Sequence, residues 1–310
     1  MTKLGTTDID VFPLCLGGNV FGWTADEMQS FAVLDAYAAA GGNFVDTADV
    51  YSSWAPGNAG GESETILGRW MAERGNRDRI VIATKVGFLK GFEGLSAKTI
   101  RAAAEASLHR LRTDRIDLYY AHTDDAATPL EETLGAFDAL VREGKVRQIA
   151  ASNHTEPRLA EALAVSKGMG LARYVALQPH YNLVERSGYE GGLADLCARE
   201  GLACFPYYSL AHGFLSGKYR PGAKVEGPRS AAASKHLDDR GLRLLAALDA
   251  IAGERGTTVA AVSLAWLLTR PAVVAPIASA RSPEQLADLL PAVSLKLTAV
   301  EQARLNEASA

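Results

Sequence analysis

Cysteine is scarce: Cys15, Cys197 and Cys204 are the three in 310 residues, and none lies in a CxxC pair. Three thiols cannot make a paired disulfide framework, and Cys15 and Cys204 sit in apolar runs where a thiol packs as an inert filler. The six histidines show neither HxxxH nor HExxH spacing, so no metal site is expected. No run of about 18 apolar residues is present, and Met1-Thr2-Lys3-Leu4-Gly5-Thr6 lacks the apolar core of a signal peptide. No membrane partner is therefore expected, and the cytoplasm is the expected compartment. Basic charge is not in excess either: 32 Lys and Arg against 36 Asp and Glu give a net charge of -4, which argues against a nucleic acid partner. The first strand-like run ends in Gly17-Gly18-Asn19 rather than GxGxxG, which counts against an open dinucleotide-binding sheet.

What is present is a regular alternation of short apolar runs and amphipathic helices. A hairpin over 4–11 precedes a buried strand at 13–16. Residues 26–40 then show helical spacing, with Phe31, Leu34 and Ala38 on one face and Gly41-Gly42 as the stop. Strands are expected to end near 45, 85, 122, 152, 178, 207 and 277. Helices are expected over 62–74, 96–111, 129–143, 156–167, 189–200, 238–254, 258–269, 282–290 and 298–308. Eight strand–helix units in one chain, with 48% hydrophobic residues, predict a single (β/α)8 barrel over residues 1–310. The stretch 220–236, rich in Gly, Ala and Ser, reads as a mobile loop near the site.

In such a barrel the chemistry collects at the carboxyl ends of the strands. That rule selects Asp46 and Tyr51 after the second strand, Lys85 on the third and His122 on the fourth. Ser152 and Asn153, Gln178, and Tyr207 follow on the next three. The combination suits a proton donor. A free phenol, with a pKa of about 10, is a weak acid at neutral pH, and a neighbouring ammonium is expected to lower that value. Asp46 would hold the Lys85 ammonium, and His122 would orient a substrate oxygen. No side chain supplies a hydride, so a reduction would need a cofactor.

Several stretches carry a wider pattern: Phe44-Val45-Asp46-Thr47-Ala48-x-x-Tyr51, Gly61-Glu62-Ser63-Glu64, Ala83-Thr84-Lys85, Tyr119-Tyr120-Ala121-His122, Ser152-Asn153 and Gly213-Phe214-Leu215-Ser216-Gly217-Lys218-Tyr219. Together they resemble the aldo-keto reductases, and Ser152-Asn153-His154 with Tyr181-Asn182-Leu183 resembles the bacterial, potassium-channel β-subunit-like branch. The resemblance implies reduction of an aldehyde or ketone by NADPH, with Asp46, Tyr51, Lys85 and His122 as catalytic tetrad and Tyr51 as general acid. It implies that Ser152, Asn153 and Gln178 hold the nicotinamide carboxamide and that Tyr207 stacks on the ring. Gly18 and Asn19 would approach the cofactor from the first loop, and Ser209, Leu210 and Lys218 would close over the diphosphate. Ser279, Arg281 and Gln285 would grip the 2′-phosphate. The sequence departs from the family pattern at Leu289, Ser209 and His212, where Asn, Pro, and Arg or Lys are frequent.

Trp23 and Trp54, with Tyr51 and His122, are the expected substrate-binding residues. Tyr208, Phe214, His154, Phe88 and Phe92 are further candidates. The resemblance implies a small carbonyl compound, of sugar or other origin, as the partner. Two other classes fit parts of the pattern: a nucleotide-binding regulatory subunit with little turnover, and a lyase with Lys85 as Schiff-base nucleophile. Asp46 argues against the last, since such a lysine must be neutral part of the time.

Overall fold

The computed structural model describes all 310 residues. Strands β1 (Thr2–Lys3) and β2 (Asp10–Val11) pair antiparallel as a hairpin. Eight more follow: β3 (Cys15–Gly17), β4 (Phe44–Asp46), β5 (Val81–Val86), β6 (Ile116–Ala121), β7 (Val146–Ser152), β8 (Tyr174–Gln178), β9 (Ala203–Cys204) and β10 (Ile277–Ala278). They pair in parallel in chain order, with β10 beside β3. The two remaining edges meet: the Ile277 N–H donates to the Pro206 carbonyl at 2.9 Å and the Val274 N–H to the Cys204 carbonyl at 3.0 Å. The ring is a (β/α)8 barrel, as the alternation predicts.

Helix ends follow local chemistry. Asp26 and Thr298 form capping boxes with Gln29 and Glu301, and the Ser96 hydroxyl accepts from the Thr99 N–H at the start of Ala97–Leu111. Gly170 and Gly201 stop their helices in the left-handed conformation that suits glycine. Three boundaries differ from expectation for physical reasons. Strands β9 and β10 are two residues each, shorter than the apolar runs around them, because Pro206 and Pro276 lack the N–H that a longer ladder needs. The helix expected from 189 begins at Gly192, after Gly191 takes φ 92°. The stretch 220–236, expected to be a mobile loop, includes a short helix (Ser230–Ser234) and lines the main cavity through residues 226–229.

Two apolar layers result from the period-2 alternation of strand side chains. Phe44, Val81, Ala83, Leu118, Tyr120 and Ala150 fill the barrel, while Val45, Ile82, Val86, Tyr119 and Ala151 pack outward against the helices. Leu4, Ile9 and Val11 of the hairpin join the inner cluster. They close the end where the strands begin, leaving the carboxyl ends free to form a site. No helix is long and apolar enough to cross a membrane.

Candidate active site

One rule gathers most of the site. If Phe44, Ala83 and Tyr120 point into the barrel, the residue two further along each strand direction also faces the lumen. Those residues are Asp46, Lys85 and His122. Ala150 and Ala176 lead to Ser152 and Gln178 in the same way. Tyr51 arrives by a different route. A turn brings it back over the barrel, its N–H donating to the Ala48 carbonyl at 3.2 Å. Ser52 fixes that turn: it holds φ 71°, and its hydroxyl donates to the Phe21 carbonyl at 2.7 Å.

The groups meet in a tight network. Lys85 is fully buried, and its ammonium donates to Asp46 Oδ2 at 2.7 Å, the Thr47 carbonyl at 2.7 Å and the Tyr51 hydroxyl at 2.9 Å. Tyr51 donates to Asp46 Oδ2 at 3.0 Å, and Gln178 Nε2 to Asp46 Oδ1 at 2.8 Å. All three ammonium hydrogens have acceptors, which leaves no lone pair for attack on a carbonyl and disfavours the Schiff-base reading. Burial pulls Lys85 below its ordinary value and Asp46 opposes it.

The phenol differs from expectation. Tyr51 is pushed up rather than down, first by burial and then by the Asp46 carboxylate, which outweigh the ammonium. The consequence is a phenol that stays protonated at neutral pH. His122 moves well below its usual value through burial and the Lys85 charge, so its ring is neutral. Its Nδ1 is buried without a partner.

A cavity of about 830 Å³ opens above this network. Asp46, Tyr51, His122, Ser152, Asn153, Gln178, Tyr207, Trp23 and Trp54 all line it. So do Asn19, Ser209, Leu210, Lys218, Ser279, Arg281 and Gln285 further out. Several are already tied together: Tyr207 donates to Asn153 Oδ1 at 2.8 Å, Asn153 Nδ2 to the His122 carbonyl at 2.9 Å, and Ser279 to Asn19 Oδ1 at 2.6 Å. Ser209 donates its hydroxyl to the Pro206 carbonyl at 2.9 Å. Lys85 stands behind Tyr51, off the cavity wall.

Gly18 also lies off the wall. A Cβ there would come within 2.8 Å of Ser63 Oγ, so this glycine lets the loop pack beneath β4, and its neighbour Gly17 is the one on the cavity. Of the further candidates, Phe88 and Tyr208 line the cavity; His154, Phe92 and Phe214 do not. His154 is buried with Nδ1 2.8 Å from the Ser152 carbonyl, Phe214 is buried beside His236, and Phe92 packs against the outer core.

Sequence reasoning missed Arg229. It stands over the Trp23 ring at 5.5 Å and lines the cavity with Glu226, Gly227 and Pro228. The one signal was an arginine in a small-residue stretch with no periodicity to place it. Arg229, Lys218 and Arg281 form no salt bridge. Lys218 is pushed down by burial and by the charges of Arg281 and Arg229, and Arg229 by burial with Arg281 adding. These three cations share the cavity with two carboxylates, Glu226 and Asp288, with which they form no ion pair.

The parallel barrel thus carries a buried ammonium–carboxylate pair behind a cavity-facing phenol at the carboxyl ends of its strands. The Aldo/keto reductase family model matches residues 13–310, and the chain belongs to that family, whose members use nicotinamide cofactors. It is similar to the uncharacterized oxidoreductase YrpG of Bacillus subtilis, 36% identical over 305 residues, 96% of this chain and 91% of that protein. It is also 36% identical over 311 residues to the norsolorinic acid reductase stcV of Emericella nidulans, covering 94% of this chain and 76% of that protein. The protein tas of Escherichia coli is 32% identical over 324 residues, 96% of this chain and 93% of that protein.

Proposed function

We propose that this protein is an NADPH-dependent reductase of aldehydes or ketones with Tyr51 as its proton donor. The observation that carries the reading is a protonated, cavity-facing phenol bonded to a buried Lys85–Asp46 pair, with three cations lacking acidic partners along the same cavity. When bound, the cofactor supplies a hydride to the carbonyl carbon.

The side chains supply the rest. The Tyr51 O–H turns about its C–O bond from Asp46 to the substrate oxygen and gives up its proton as charge grows there. Lys85 keeps its hydrogen bond to the phenol oxygen and stabilises the phenolate that forms. Asp46 holds the ammonium. The neutral His122 ring, with its proton on Nε2, donates to the same substrate oxygen and orients it. In the reverse direction Tyr51 acts as base.

Ser152, Asn153 and Gln178 are placed in this reading to meet the nicotinamide carboxamide, with Tyr207 against its ring. Asn19, Ser209, Leu210, Lys218 and Arg229 serve the diphosphate, and Ser279, Arg281 and Gln285 the 2′-phosphate, where a guanidinium fork suits phosphate. The test is cofactor oxidation followed by absorbance against a panel of aldehydes and ketones, with NADH in parallel. Turnover that prefers NADPH is the expected result. Tight NADPH binding with no turnover on any carbonyl would favour a nucleotide-binding regulatory role, and failure to bind NADPH would remove the reading.

A further inference from the structure

Three of the six histidines gather on one flank of the cavity, and the proton-donor chemistry uses none of them. His180 follows β8, His212 lies in the loop after β9, and His236 ends the stretch 220–236. Of the three, only His212 reaches the cavity wall.

The backbone fixes that position. His212 takes φ 59° between Ala211 at 46° and Gly213 at 98°, a run of left-handed residues. The Ala211 N–H donates to the Tyr208 carbonyl and the Gly213 N–H to the Leu210 carbonyl, each at 2.7 Å. Asn182 Nδ2 secures the turn from outside by donating to the same Tyr208 carbonyl at 2.9 Å. Few side chains other than glycine tolerate a left-handed backbone, and histidine is among those enriched there. The turn therefore presents an imidazole to the cavity at a set place.

Opposing influences act on the charge of that ring. Its centroid lies 4.1 Å from that of Tyr208, with the planes 40° apart, and the π face favours an imidazolium. Burial opposes the charge first. Arg229 and Lys235 of the stretch 220–236 and the rings of His180 and His236 oppose it further, and His212 falls below its ordinary value. Lys218, Arg281, Glu226 and Asp288 share the cavity with it, and Glu185 acts on His180 and His236. Neither ring nitrogen of His212 is held by a hydrogen bond within the protein. At neutral pH the free protein thus offers an uncharged imidazole among cations.

From this placement we infer that His212 is a further cofactor-binding residue whose charge arrives with the ligand: its imidazole takes up a proton from solvent as the phosphates of NADPH enter. The inference rests on the NADPH reading of the cavity. A polyanion beside the ring offsets the neighbouring cations and favours the charged form. The bound state then holds its proton to higher pH than the free state. The added affinity is full below the free value and is lost as pH rises through the bound one. An arginine at this place would stay charged at every working pH, whereas a histidine makes cofactor affinity depend on protons.

The test is calorimetric titration of NADPH at pH 7 in PIPES and in Tris. These buffers differ in ionisation enthalpy, so the difference in heat reports the protons taken up. Uptake of about half a proton is expected. Fluorescence titration should show affinity falling about fivefold from pH 6.5 to 8.5, a range in which the 2′-phosphate is largely dianionic. NADP+ should behave as NADPH does, because it carries the same phosphates. His212→Asn suits the left-handed backbone and should abolish uptake and flatten the pH profile at the weaker affinity. His212→Arg should flatten it at the tighter one. Uptake that persists in His212→Asn, or binding without uptake in the unaltered protein, would overturn the inference and leave the cofactor reading intact. NADPH that fails to bind at any of these pH values would remove both.

Discussion

Asp49 lies between Asp46 and Tyr51, fully buried, and neither of its carboxylate oxygens has a hydrogen-bond partner. Burial raises it from 3.8 to about 8, with Glu64 adding and Arg110 and Lys85 opposing. Tyr119, whose hydroxyl is also unpartnered, faces the same space from β6. The folded protein therefore holds a proton on Asp49 that the unfolded chain releases near pH 4. The stability linked to it is full below the unfolded value and is lost as pH rises through about 8. Asp49→Asn, neutral in both states, should flatten the fall in melting temperature between those limits; an unchanged pH profile would show that Asp49 ionises normally. At this scale the sequence was informative wherever strand parity operates. Asp46, Lys85, His122, Ser152 and Gln178 share the lumen because each lies two residues beyond an inward-facing one. The direction of the Tyr51 shift was not legible, because burial and the Asp46 oxygen 3.0 Å away outweigh the ammonium.

The loop after β9 is the element that sequence patterns described least well. Ala211 and His212 hold φ 46° and 59°, so the chain turns tightly without the regular spacing that marks a helix or strand. The segment beyond it brings Arg229 over Trp23 at 5.5 Å. Composition identified this stretch as a loop near the site, but only the folded chain assigns it a charged residue on the cavity wall. Arg229→Ala should weaken NADPH binding by about tenfold at low salt, the loss of one charge-assisted contact. It should also flatten the dependence of that affinity on ionic strength. Fluorescence titration at two salt concentrations reads both, and an unchanged affinity would place Arg229 outside the cofactor site. Helices, by contrast, were legible almost to the residue: those expected over 96–111 and 62–74 are observed as Ala97–Leu111, capped by Ser96, and Glu62–Arg74.

Across the whole molecule the barrel divides its labour between its two ends. The hairpin residues Leu4, Ile9 and Val11 are buried in the inner cluster at the closed end, away from the network at the strand termini. Ile9→Ala should cost about 2–4 kcal/mol of stability by denaturant unfolding, the usual range for emptying such a site. NADPH affinity should stay the same; a parallel loss of affinity would show that the two ends are coupled. The barrel itself was legible because apolar runs alternate with amphipathic helices eight times. The exact length of β9 and β10 was not, since the apolar runs extend beyond the short ladders, with Pro206 after β9 and Pro276 before β10. The central claim is that Tyr51 donates the proton, and the most direct test is Tyr51→Phe. The account predicts a fall in kcat of about 10³-fold, within the range of general acid catalysis, with the NADPH dissociation constant changed by less than about twofold. Turnover at the unaltered rate with intact cofactor binding would contradict it.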